Sequence, residues 1–291
     1  MKVELKTWTS LGLATALVGA GLSGCAGEGE GGEGEGGEAA QTTQAGEMGE
    51  GEGGEGEGGE GEAGAGGEAG EGGESGEGGV AIASAATDPI VYGSALAVAE
   101  AHAIAARDAF AAGKTDPAAE MFAHPVAEVL AEMDPVFEQR GVEDFKSLFF
   151  DASAAVLDGE DQAQIDARFE GIIAALRAAG EKAPASETSA ASVAAGIATD
   201  QIKRAIAMYP EAISSGRYEP YLDGYGYTKA AEVAFSNSTG AILEENDALH
   251  AAISEALALL ATAYPSVEQP ASLDIAQGAL LAAESKIELS Q

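Results

Sequence analysis

Three histidines, one cysteine and five methionines are the side chains in this 291-residue chain best suited to holding a metal. Met121, His124 and Glu128 follow one another at steps of three and four residues. A helix running through Pro125 would therefore carry thioether, imidazole and carboxylate on one face. Such a set binds transition metals: Met with His favours copper, whereas His with carboxylates suits iron or zinc. His102, with Glu100 and Asp108 near it in sequence, would supply a second imidazole from the preceding helix. The candidate metal ligands are thus His102, Met121, His124 and Glu128, and the cofactor they imply is a divalent metal. The alternative is that Met121 fills the core and His124 packs in a turn. His250, at the start of a helix, reads as a solvated side chain.

Tyr218, Tyr221, Tyr225 and Tyr227 form a dense cluster, with Asp223 and two glycines among them. Tyrosine offers a large area with one polar handle, so the cluster fits either a binding surface or an aromatic core where helices converge. Zinc-protease, P-loop, nucleophile-elbow, CxxC and dinucleotide-glycine motifs are missing from the sequence, which argues against an enzyme. A calcium loop at Asp158-Gly159-Glu160-Asp161 fails because Ala163 stands where the turn needs Gly and Phe169 where the bidentate Glu belongs.

Those groups must be positioned by helices, and the apolar spacing shows where. Ile165, Phe169, Ile172, Ile173 and Leu176, like Leu249, Ile253, Leu257 and Leu260, recur every three or four residues, and no stretch alternates as a strand does. The expected fold is all-α. Prolines, glycines and capping residues mark about eight helices near 91–112, 117–140 with a bend at Pro125 or Pro135, 142–157, 161–179, 187–209, 218–240, 246–263 and 271–288. Gly113, Gly141, Gly159 and Gly180 fall where helices should stop. The 181–190 stretch is the natural boundary between a first half, 80–185, and a second, 186–291. Ala111 to Pro117 aligns with Ser214 to Pro220, each after an apolar helix and before another, so a duplicated four-helix unit is one reading and convergence of bundle patterns the other.

The N-terminal third has a different logic. Lys2 and Lys6 precede an uncharged stretch from Thr7 to Gly24, which reads as a signal peptide over residues 1–24 rather than a permanent span. It ends in Leu22-Ser23-Gly24-Cys25, which resembles the bacterial lipobox. The resemblance implies cleavage before Cys25, lipidation of its thiol with several acyl chains, palmitate among them, and anchoring in a bilayer. As the only cysteine, Cys25 leaves no intramolecular disulfide. Ala26 after it, in place of Asp, implies the outer membrane facing the periplasm, or the cell membrane where a cell has only one. From Gly27 to Gly79, sixteen glutamates stand among glycine and alanine without one Lys or Arg. That composition cannot build a core, so 25–79 is expected to be a lipidated cysteine followed by a disordered tether.

The helical hairpins, the duplicated halves, the export signal and the Gly216-Arg217-Tyr218-Glu219 turn before an aromatic helix resemble the imelysin-like helical proteins of bacterial iron uptake. The resemblance covers roughly the last hundred residues. The family's His-x-x-Glu motif preceded by Gly is missing here, so it carries over no metal ligand. With a formal net charge of −35 the protein should be repelled by nucleic acid and attracted to metals or basic protein surfaces. Two functions are therefore expected from the sequence: a membrane-anchored helical binding or accessory module for a metal such as iron or copper, or a structural or protein-interaction module of the envelope.

Overall fold

Asp and Asn caps, prolines in first turns and glycines at ends cut the chain into short rods. The computed structural model describes residues 80–291. The expectations for the signal peptide, Cys25 and the tether fall on residues 1–79 and lie outside the described residues. Eleven α-helices and one π-helical segment are present: α1 (Ile82–Ala85), α2 (Pro89–Ala111), α3 (Thr115–Pro125), the π segment (Val126–Leu130), α4 (Asp134–Arg140), α5 (Lys146–Leu157), α6 (Gln162–Gly180), α7 (Ala190–Ser215), α8 (Tyr218–Ser236), α9 (Thr239–Glu245), α10 (Asp247–Ala263) and α11 (Gln277–Glu288). The fold is all-α, with no strand among the described residues.

The helices number more than the eight expected, for local reasons. Pro125 and Pro135 each withdraw a backbone N–H, and the single helix expected over 117–140 becomes α3, the π segment and α4. Thr115 opens α3, so Pro117 lies inside its first turn rather than at the first position. A break at Asn237 and Ser238 separates α9 from α8. The helix expected over 187–209 does not stop there: α7 runs on through Pro210, with Tyr209 and Ala212 on either side of it buried, as far as Gly216, whose φ of 63° only glycine adopts readily. The equivalent turn between α2 and α3 rests on Gly113, with φ 75°.

α2 is the axis. Asp88 caps it by accepting from the Ile90 N–H (2.8 Å), and Pro89 takes the first position, where a missing N–H costs nothing. By length and composition it could cross a membrane, but 78% of its most apolar window is buried inside the bundle. A helix apolar on most of its faces belongs in a core, and α3, α6, α7 and α8 pack around this one. The core is continuous across the 181–190 connection, so residues 80–185 and 186–291 share it.

Small residues set how closely the rods approach. A Cβ on Gly226 of α8 would lie 2.5 Å from the Ala101 carbonyl oxygen of α2, and one on Gly93 would lie 2.3 Å from Ile197 of α7. Gly226 lets backbone meet backbone and Gly93 makes room for the Ile197 side chain, so polar side chains on neighbouring helices come within reach of each other.

Candidate metal centre

His102 lies two turns from the end of α2 and is 2% exposed. Its Nδ1 is 2.8 Å from the Val98 carbonyl oxygen, which can only accept, so Nδ1 carries a proton and Nε2 faces away from the backbone. Imidazoles that bind metals are commonly oriented by such a bond on the other nitrogen. Nε2 points at two carboxylates: Glu128 Oε2 of the π segment at 3.1 Å and Asp223 Oδ1 of α8 at 3.6 Å. His124, in the last turn of α3, brings its Nδ1 to 3.9 Å from Glu128 Oε1, and its ring stands edge-on to that of His102. Nitrogen and oxygen donors of His102, His124 and Asp223 all lie within 4.8 Å of one another. Donors around one ion at about 2.0–2.2 Å lie roughly 3–4 Å apart, so contraction of about an ångström would close the set.

The electrostatics are those of a site held under tension. Burial alone would push the His102 imidazole down, but the Glu128 hydrogen bond and the charges of Asp223 and Glu128 outweigh it and hold the group up at about 9. Burial would raise Glu128 too, yet its bond to His102 and the positive charges around it keep it below the usual range. Asp223 goes the other way: burial, with Glu128 adding repulsion, raises it to about 6 against the pull of His102. Two atoms in this cluster, His124 Nδ1 and Asp223 Oδ1, are buried without a hydrogen-bond partner. Buried orphans are uncommon, and a bound ion or water is one way such atoms are satisfied.

The outer wall is aromatic and basic. The Tyr227 ring meets His102 edge-on at 5.6 Å between centroids, and the Arg204 guanidinium of α7 lies 5.9 Å from the Tyr227 ring. Arg204 also donates to Asp200 one turn before it, at 2.8 Å. No family model, curated protein or solved structure matches the chain.

Of the residues singled out in the sequence, His102, His124 and Glu128 come together. Met121 is fully buried as a core side chain one turn before His124, and the groups that converge are two imidazoles and two carboxylates. Glu100 and Asp108 turn away, because residues two and six positions from His102 occupy other faces of α2. Glu100 takes Arg177 (2.8 Å), while Asp108 accepts from Arg107 and the Tyr225 hydroxyl (2.7 Å). The tyrosine cluster is core rather than binding surface: Tyr221, Tyr225 and Tyr227 are buried, and Tyr218 is partly so. His250 is not a free solvated group, since it meets the Thr239 hydroxyl at 2.9 Å and lies against Phe235.

Asp223 is the ligand candidate that pattern reasoning missed. A signal was present: it is the one acid in Tyr221-Leu222-Asp223-Gly224-Tyr225-Gly226-Tyr227, where every neighbour suits a buried helix and two glycines invite close approach. Gly226 fulfils that by pressing α8 onto Ala101, next to His102.

Proposed function

We propose that the protein binds a divalent transition metal at His102, His124, Glu128 and Asp223, and does so as an exported lipoprotein anchored through Cys25 at the outer membrane. The reading is carried by one observation: two imidazoles and two carboxylates from three α-helices and the π segment converge, with a buried nitrogen and a buried oxygen left unpartnered. Two carboxylates offset the charge of a divalent ion, and a mixed nitrogen and oxygen set suits zinc, iron or manganese better than soft, thioether-seeking copper(I). The anchor rests on the Leu22-Ser23-Gly24-Cys25 motif. Its test is Cys25→Ser, which should abolish palmitate incorporation.

The metal test uses the full chain, stripped with chelator and titrated calorimetrically with Zn²⁺, Fe²⁺, Mn²⁺ and Cu²⁺, beside His102→Ala and Asp223→Asn. Diffuse attraction by the glutamate-rich segment is common to all three, so the difference between them reads the site. One ion per chain should bind the unsubstituted protein, with affinity at least about a hundredfold lower in His102→Ala. Identical isotherms for all three would end the reading. A protein-docking role is the second reading, favoured by Phe150 and Leu157, seven residues apart on α5 and 52% and 63% exposed.

A further inference from the structure

Glu128 reaches His102 from a stretch of helix that is not α-helical, and a proline stands immediately before that stretch, beside a candidate ligand. Pro125 follows His124 directly and sits inside the last turn of α3. Its ring nitrogen has no hydrogen to give the carbonyl four residues back, so the α pattern loses a bond there. The next five residues, Val126–Leu130, form the π segment, closed by the Ala131 N–H donating to the Val126 carbonyl five residues earlier at 3.0 Å. In an α-helix each side chain advances about 100° around the axis. A widened turn holds the following side chains back, and Glu128 stands in the middle of it. Val126, Val129 and Leu130 remain buried, so the core tolerates the altered register while the acid at its edge is redirected. Single π turns inside α-helices recur at functional sites, where they re-aim one side chain at a local cost in helix stability.

We infer that Pro125 is a positioning residue for the metal site: by forcing the π turn it aims the Glu128 carboxylate past His124 and onto His102, completing the donor set. This rests on the metal-binding reading above. Pro125 touches no metal itself. It acts through Glu128, whose Oε2 is 3.1 Å from His102 Nε2 and whose Oε1 is 3.9 Å from His124 Nδ1. On this inference a regular α turn would carry Glu128 further around the axis and leave His102 with Asp223 alone.

Pro125→Ala in the full chain tests this, because a positioning role and a merely structural one give opposite signs. Alanine restores the missing donor and is the best helix former, so the metal-free midpoint should rise by roughly 5 °C. Zinc affinity should fall at least about tenfold over the same substitution. Backbone NMR should show the Ala131 amide changing its partner from Val126 to Ala127. Unchanged affinity with the turn converted to α overturns the inference and leaves the metal site standing. Unchanged affinity with the π turn kept also overturns it, since Pro125 is then not the cause of the turn. If the unsubstituted chain binds none of the four metals, the metal reading falls and this inference falls with it.

Discussion

Two stretches of α8, one turn apart, bury polar groups in opposite ways. At its N-terminal end every aromatic hydroxyl has a backbone partner. The Tyr218 and Tyr221 hydroxyls donate to the carbonyls of Val267 and Ser266 at 2.7 Å each, and that of Tyr264 donates to Ala205 at 2.8 Å. Tyr209 accepts from the Ile275 N–H at 2.9 Å. Together they staple the 264–275 connection to α7 and α8. Two residues beyond Tyr221, Asp223 is partly buried in the same helix, but its Oδ1 has no hydrogen-bond partner and lies 3.6 Å from the His102 imidazole. Satisfied buried polar groups fix a unique structure, whereas convergent unsatisfied ones are costly and persist where a ligand completes them. The first stretch is architecture, and the second is where the proposed site lies.

The largest effect that can break this contrast is on pH. The unfolded value of His102 is near 6.5, and the folded protein holds it at about 9. Its contribution to stability is therefore complete below about 6.5 and is lost as pH rises through 9, at most about 3 kcal/mol. The groups facing it are Glu128 and Asp223, with His124 and Tyr227 beside the ring. Urea midpoints of metal-free protein from pH 6 to 9.5 should fall, and His102→Gln should flatten that slope. An equal slope in both proteins would place the titration elsewhere.

Gly226→Ala comes next. Its Cβ would meet backbone, not a flexible side-chain end, so α8 must lift from α2 at a cost of about 2 kcal/mol. The same shift should separate Asp223 from His102 and weaken metal binding, measured by calorimetry on one protein preparation. Normal affinity with lowered stability would show that the helix contact and the site are independent.

The smallest effects sharpen the comparison most. Tyr264→Phe removes a satisfied hydroxyl and should cost about 1 kcal/mol in denaturant unfolding. Asp223→Asn removes a buried charge that burial already disfavours, and it should leave metal-free stability within about 0.5 kcal/mol of the parent or raise it. If Asp223→Asn destabilises as much as Tyr264→Phe, the two stretches of α8 are alike and the site is ordinary scaffold.

Periodicity made much of the bundle legible. Ile165, Phe169, Ile172 and Leu176 all face the core, as do Leu249, Ile253, Leu257 and Leu260, because a helix with one apolar stripe has one way to bury it. Pairing was not legible. Asp223 joins His102 only because α8 crosses α2 at Gly226, and no local pattern records a crossing between distant segments. Pro125 signalled a disturbance but not its form: a bend, a break and a π turn are all compatible with one missing N–H, and the sequence alone does not choose among them. Met121 and His124 show the limit of spacing alone, since neighbours on one face can still serve the core and the site separately.

The encirclement of α2 has a kinetic consequence. His102 sits on the central rod, while its partners ride on α3, the π segment and α8, all packed directly against that rod. Two lobes hinged about a cleft could swing apart to admit an ion, but helices gripping a common axis cannot. If the proposed site holds an ion, entry and departure must follow fluctuations of a turn or two, and the π segment, whose turn is not α-helical, is the first candidate to open. On the metal-binding proposal, ion exchange should be slow, with a residence time set by local helix fraying, and the hydrodynamic radius should stay the same with and without added metal.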